Sequence, residues 1–96
     1  MTLTEKVKKA IRATDDFFDS ETADVIMSAV ADIKRVGVNV GDYDAETTET
    51  LGDPLYDRAV ILYAKSEFNF DGEAERYRKA YDYLLCSLSL SGEYIS

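Results

Sequence analysis

The stretch from Asp53 to Tyr94 reads DPLYDRAVILYAKSEFNFDGEAERYRKAYDYLLCSLSLSGEY, and it predicts two consecutive helices. The first helix begins at Asp53 and Pro54, because an aspartate side chain caps free backbone N–H groups and a proline at the first helical position loses no hydrogen bond. The run AVILYA at 59–64 is apolar around the whole helix. We therefore expect this helix to be buried on most sides, with Leu62 almost fully buried.

The second helix of this stretch follows a turn at Asp71 and Gly72 and carries one apolar seam along its length. The seam residues recur at spacings of three and four, and they are Ala74, Tyr77, Tyr81, Leu84 and Leu88. This spacing is typical of a helix with one buried face. We expect Tyr77 and Tyr81 to pack in the core, with Tyr81 almost fully buried, rather than to stack on nucleic-acid bases.

A second apolar set on the same helix consists of Tyr83, Cys86 and Leu90, and it is offset from the seam. A terminal helix in so small a domain covers only one side against its own core. The other side should contact a neighbouring subunit or lie under the loop at 41–52, since exposed apolar surface generally marks an interface. Tyr83, Cys86 and Leu90 are therefore the candidate subunit interface.

Two further helices are predicted before Asp53. The first begins at a capping box formed by Thr2 and Glu5, and the second ends at Gly37, which permits a left-handed helix stop. The apolar stripe of the second helix consists of Ala23, Ile26, Met27, Val30 and Ile33. The sequence therefore predicts an all-α fold, a single domain over residues 1–96 that forms a small bundle of about four helices, near 2–12, 20–36, 54–69 and 73–90.

One long loop, residues 37–53, separates the second and third predicted helices. It carries five acidic residues and no basic one, namely Asp42, Asp44, Glu46, Glu49 and Asp53. A connection of this length in a small domain is usually functional or mobile. We expect residues 41–52 to be mobile in an isolated subunit and to become ordered at a contact. The first four acidic residues are candidates to meet a partner or to line a channel.

Residue types that support catalysis or metal binding are scarce in the sequence. The chain contains no histidine, which excludes Ser–His and Cys–His nucleophile pairs, and its five glycines form no phosphate-binding loop. Asp42, Asp44 and Glu46 share the spacing of a calcium loop, but Thr47 occupies the glycine position and Asp53 the position of the bidentate glutamate. We therefore expect no enzyme activity, no metal and no cofactor.

Charge is unevenly divided along the chain, whose net charge is −8. The first twelve residues have a net charge of +3, because Lys6, Lys8, Lys9 and Arg12 outnumber Glu5, and the rest of the chain has a net charge of −11. A protein that grips duplex DNA needs basic side chains against the phosphates, and this chain mostly offers the opposite. The pattern favours either an ordinary acidic surface with a mildly basic first helix or a surface past which DNA moves without being held.

Compartment signals in the sequence favour the cytoplasm as the site of synthesis. The chain has no apolar run long enough to span a membrane, and its first residues lack the apolar segment of a signal peptide. A single cysteine, Cys86, excludes an internal disulfide and agrees with a reducing compartment. We expect no membrane contact.

The order of elements and three phrases of the sequence resemble the small head–tail connector (head-completion) proteins of tailed double-stranded DNA bacteriophages and prophages. The phrases are DPLxxRAVILYAKxxF, AERYRKAYDYL and SLSLSGEY, all after residue 52. The resemblance implies a structural virion protein at the head–tail interface, made in the bacterial host cytoplasm. It also implies a ring of identical subunits between the portal protein and the tail or a tail adaptor, through which DNA passes without sequence-specific binding during packaging and release.

Two other classes of function remain open from the residues alone. An acidic helical regulator, such as a DNA-mimicking inhibitor, suits the net charge, although the basic first helix argues against it. A small enzyme that holds a metal in the acidic loop is disfavoured by the missing histidine and by the failed calcium spacing.

Overall fold

The computed structural model of the protein describes residues 1–11, 19–68 and 72–90, and within these ranges it contains four helices and no strand. The helices are α1 (Leu3–Ala10), α2 (Asp19–Arg35), α3 (Pro54–Glu67) and α4 (Ala74–Leu90). The predicted all-α fold is confirmed. Arg12, predicted to end the first helix, lies outside the described residues, as does Asp71 of the predicted turn.

The helix ends follow the capping signals in the sequence. The Thr2 hydroxyl accepts a hydrogen bond from the backbone N–H of Glu5 at 3.2 Å and donates one to the Glu5 carboxylate at 3.2 Å. The Asp53 side chain accepts a hydrogen bond of 2.8 Å from the N–H of Leu55, the second residue of α3. Past the end of α2, Gly37 has a φ of 91°, a conformation that favours glycine. The predicted caps are therefore confirmed.

Helix α3 is the central element, since it packs against α1, α2 and α4. Ala59, Val60 and Ala64 are fully buried on its inner faces. Leu62, predicted to be almost fully buried, is only half-buried, and that prediction is wrong. Leu62 follows the exposed Arg58 by four residues and so shares its outer face, which none of the three neighbouring helices covers completely.

The loop between α2 and α3 is tied to α1 by hydrogen bonds, while the mobility expected for residues 41–52 in an isolated subunit stays a prediction. The backbone N–H of Leu3 donates to the carbonyl of Thr48 at 2.7 Å, and Lys6 Nζ donates to the carbonyl of Glu49 at 2.9 Å. The first N–H groups of any helix lack partners within that helix. The loop therefore supplies partners to α1, a relationship that local sequence patterns do not reveal.

The same loop is also tied to the start of α3 and to the core. Asp57 accepts a hydrogen bond from the N–H of Leu51 at 2.9 Å and another from the Thr50 hydroxyl at 2.7 Å. The side chains of Val38, Val40 and Leu51 are buried in the same core as the helices. The loop is thus packed as part of the fold, and four acidic residues, Asp42, Asp44, Glu46 and Glu49, are among its exposed residues.

Candidate interaction surfaces

The inner face of α4 holds the last helix on the core. Tyr81, Leu85 and Leu88 are buried there, whereas Leu84 and Tyr77 are half-buried. The prediction that Tyr81 is almost fully buried is confirmed. Of the predicted seam, Tyr81 and Leu88 are thus buried and Leu84 is half-buried, while Leu85, beside the seam, is buried as well.

The outer face of α4 carries an uncovered apolar strip, which we call the α4 stripe and define as Tyr83, Cys86 and Leu90. Tyr83 is 78% exposed and Leu90 is 81% exposed, and Cys86 is a free, exposed cysteine. At 3.6 residues per turn the three side chains fall within about 60° of one another around the helix. The expected alternative, that the loop at 41–52 covers this strip, is wrong, since the loop packs on α1 and α3.

A second apolar surface lies between α2 and the loop, and we call it the Met27 hollow. It has a volume of about 370 Å³ and is lined by Met27, Val30, Ala31, Lys34, Asp42 and Tyr43. Met27 was predicted to lie in the core stripe of α2, but it is 58% exposed, so that prediction is wrong. Ile26, Val30 and Ile33 already complete a helical stripe, and Met27 lies at its margin. That redundancy is a sequence signal that could have placed Met27 outside the core, although it does not indicate the hollow itself.

An ion pair forms one rim of the Met27 hollow. Lys34 Nζ lies 3.0 Å from Asp42 Oδ1, and the Asp42 side chain is fully exposed. An exposed pair of this kind contributes little to stability, because water and salt screen it. Lys34 therefore remains available to a carboxylate that approaches the hollow.

The four acidic loop residues predicted to meet a partner or line a channel differ in their contacts. Asp42 pairs with Lys34, and the Asp44 side chain accepts a hydrogen bond of 2.9 Å from the N–H of Glu46 within a local turn. Glu46 and Glu49 are exposed, and their carboxylates have no partner among the described residues. Within the same residues, no group of three or more His, Cys, Asp or Glu side chains is placed to hold a metal ion.

The basic residues of the first helix are partly engaged by the loop. Lys6 bonds the loop backbone, Lys8 is half-buried, and Lys9 is exposed. Arg12, the fourth predicted basic residue, lies outside the described residues. Of these basic residues, Lys6 is therefore the one that the structure places beside the acidic loop.

A polar network that the sequence did not predict joins α2 to α4. The Tyr81 hydroxyl donates a hydrogen bond of 2.6 Å to Asp32 Oδ2, while Arg35 donates to Asp32 Oδ1 from Nε at 3.1 Å and from Nη2 at 2.8 Å. Burial alone raises the pKa of Asp32, but the hydrogen bonds from Tyr81 and Arg35 outweigh burial, so the pKa lies below its ordinary value. Burial, followed by the hydrogen bond to Asp32, raises the pKa of Tyr81.

Aromatic and cationic groups of α3 and α4 extend this network. The rings of Tyr63 and Tyr81 meet edge to face, with centroids 5.2 Å apart. The Arg78 guanidinium lies 4.6 Å from the centroid of the Tyr63 ring and forms an ion pair of 2.7 Å with Glu67. These contacts fix α4 on α3, and they thereby fix the direction in which the α4 stripe faces.

A comparison with known proteins identifies a family to which the chain is similar. The chain is similar to the family described as phage connector protein, whose model matches residues 3–95. No curated protein and no solved structure matches the chain. In the described residues, no helix has the length and apolar character needed to span a bilayer.

Proposed function

The chain belongs to the phage connector protein family, whose members are structural proteins of bacteriophages, and from this premise we propose that it joins the head of the particle to the tail as a ring. In this proposal identical subunits surround an opening between the portal protein and the tail or a tail adaptor. The protein is made in the cytoplasm of the bacterial host and resides at the head–tail interface of the virion.

The α4 stripe is the main observation in support of the proposed ring. A ring of identical subunits is built from head-to-tail contacts, so each subunit needs apolar surface beyond its own core. Tyr83 and Leu90 expose most of their area on a helix whose opposite face is buried at Tyr81, Leu85 and Leu88. Contiguous exposed apolar side chains of this kind generally mark a protein contact. We therefore assign Tyr83, Cys86 and Leu90 to the contact between subunits.

The acidic loop supports the passage of DNA through the ring without sequence-specific binding. Glu46 and Glu49 are exposed, and no partner among the described residues neutralises them. A phosphate backbone is repelled by such carboxylates, and the 19 acidic residues of the chain outnumber its 11 basic ones, which disfavours a grip on DNA. In our proposal this loop faces the opening, so that DNA slides past it.

The competing proposal, a DNA-mimicking regulator, has less support from the same loop. A mimic needs carboxylates spaced along one continuous face in place of phosphates. Here Asp42 is paired with Lys34 and Asp44 is occupied in a turn, which leaves Glu46 and Glu49 as the free acidic side chains of the predicted set.

Charge placed on the α4 stripe tests the proposed function. Leu90→Glu should leave the helical circular dichroism unchanged, because Leu90 is exposed in the single subunit. In a ring it should bury an unpaired carboxylate at every contact, at a cost of several kcal/mol each, on the order expected for such a charge. The yield of filled, tailed particles in a complementation assay should then collapse.

The matched control for this experiment is Ser20→Glu. Ser20 is exposed in the first turn of α2, where a carboxylate suits the helix dipole. This variant adds the same charge away from the α4 stripe and should support particle formation at the wild-type level. A Leu90→Glu protein that also supports wild-type yields would remove the stripe from the subunit contact.

A further inference from the structure

We propose that the α4 stripe of one subunit docks into the Met27 hollow of a second copy of this chain. The inference rests on the proposed ring, and it names the second of the two faces that such a ring requires. Contacts of the stripe with itself would be isologous and would stop at a dimer. The hollow is formed by α2 and the loop, and the stripe by α4, so the two faces share no residue.

Shape is the first argument for this pairing. The stripe is a convex ridge on a helix, whereas the hollow is concave and has a volume of about 370 Å³. For comparison, a cavity of roughly 150 Å³ is large enough to hold a benzene molecule. The hollow therefore has room for the side chain of Leu90 or for the ring of Tyr83.

The chemistry of the two surfaces also matches. Met27, Val30 and Ala31 give the hollow apolar walls, and the Tyr43 ring stands on the loop side. A methionine at the mouth can adapt its flexible side chain to the group that enters. Met27 is 58% exposed in the single subunit, so an incoming apolar side chain would remove it from water.

Charged groups beside the α4 stripe and the Met27 hollow also favour contact between the two surfaces. Asp82 is exposed on α4 four residues before Cys86, and it has no partner among the described residues. Lys34 stands at the rim of the hollow and is paired with the fully exposed carboxylate of Asp42. Docking of the stripe would bring the carboxylate of Asp82 towards the Lys34 ammonium. In a chain of net charge −8, the Lys34–Asp42 pair makes this rim neutral rather than acidic, which lowers the repulsion between two copies at this point.

The single cysteine of the chain allows a direct test by cross-linking. Cys86 is exposed in the α4 stripe, and Ala31→Cys places a second thiol in the hollow. Particles assembled with the Ala31→Cys protein are treated with a short bismaleimide and analysed on a denaturing gel. Each subunit then carries one thiol on each face, so the expected result is a ladder of dimers, trimers and larger species.

Two control proteins make this ladder specific. Ala31→Cys combined with Cys86→Ser retains the thiol in the hollow alone and should give no ladder. Ser20→Cys retains Cys86 and places the second thiol elsewhere on α2, two turns before Met27, and should likewise give no ladder.

The outcomes separate the inference from the proposed function. If electron microscopy shows rings in the particles but Ala31→Cys gives no ladder, the ring stands and the docking of the stripe in the hollow is refuted. If the wild-type protein cross-links to dimers through Cys86 alone, the stripes meet each other, and the inference is refuted as well. If tailed particles contain no copies of the protein, both the proposed function and the inference fall.

Discussion

The hydroxyl of Tyr81 on α4 donates a hydrogen bond of 2.6 Å to the carboxylate of Asp32 on α2, across 49 positions of the chain. The Tyr81 side chain is fully buried, and Asp32 is held from its other side by Arg35. This contact sets the orientation of the last helix, and the α4 stripe faces outward as a consequence.

Removal of the Tyr81 hydroxyl should weaken the fold measurably. Tyr81→Phe retains the ring but leaves a partly buried carboxylate one hydrogen bond short, and we expect a loss of about 1.5–3 kcal/mol in the free energy of unfolding. Urea denaturation followed by circular dichroism measures it. The matched control is Tyr83→Phe, which removes the hydroxyl of a 78% exposed tyrosine and should change stability by almost nothing. Equal stability of the two variants would contradict the assigned role of the Tyr81 hydrogen bond.

The lowered pKa of Asp32 predicts a specific dependence of stability on pH. A carboxylate with a lowered pKa in the folded state stabilises the fold fully above its unfolded pKa, and this contribution fades as pH falls through the folded pKa. The difference between wild type and Asp32→Asn in the free energy of unfolding should therefore be constant near neutral pH. It should shrink once the pH falls below 3.8, the ordinary pKa of an aspartate. The comparison cancels the effect of the other carboxylates. A difference that grows on acidification would show that the pKa is raised instead.

The half-buried position of Leu62 predicts a modest cost of truncation. Leu62→Ala should lower the free energy of unfolding by about 1–2 kcal/mol, whereas Leu88→Ala should cost about 2–5 kcal/mol, the range for a fully buried leucine. Leu88 is 2% exposed on α4, so it is the suitable reference. Urea denaturation of both variants shows which substitution lowers the free energy of unfolding more. If Leu62→Ala proves the more damaging change, the outer face of α3 is more enclosed than the structure shows.

Asp57 should control the order of the loop. Its carboxylate accepts hydrogen bonds from the Leu51 N–H and the Thr50 hydroxyl, so Asp57→Ala should accelerate hydrogen exchange at the Leu51 amide. The expected loss of stability is about 1–3 kcal/mol for the partners left unsatisfied. Asp24→Ala is the control, since Asp24 is exposed on α2 and has no partner among the described residues. Rapid exchange at Leu51 already in the wild-type protein would contradict this role of Asp57 and would support the predicted mobility of the loop.

The elements of the fold could be predicted because their signals are local. The caps at Thr2 and Asp53 and the stop at Gly37 depend on residues within one turn, and the structure confirms each of them. The outer face of a helix is harder to predict, because periodicity defines a buried stripe but not its margins. Met27 and Leu62 both lie at such margins, and both were assigned to the core.

Long-range contacts explain what the sequence could not reveal. Nothing near Asp32 indicates that Tyr81 binds it, and nothing in the loop indicates that Thr48 accepts a hydrogen bond from the first residue of α1. The α4 stripe was recognisable because it is a second apolar set on one helix. The Met27 hollow was not, because it is assembled from α2 and a loop that the sequence predicted to be mobile.

Electron cryomicroscopy of the head–tail vertex in tailed particles would show directly whether the protein forms a ring there. We expect a closed ring of copies of this chain between portal and tail, in which Tyr83 and Leu90 are buried against the neighbouring subunit. Tailed particles whose vertex lacks the protein would refute the proposed ring, and a ring in which the α4 stripe faces solvent would refute the proposed subunit contact.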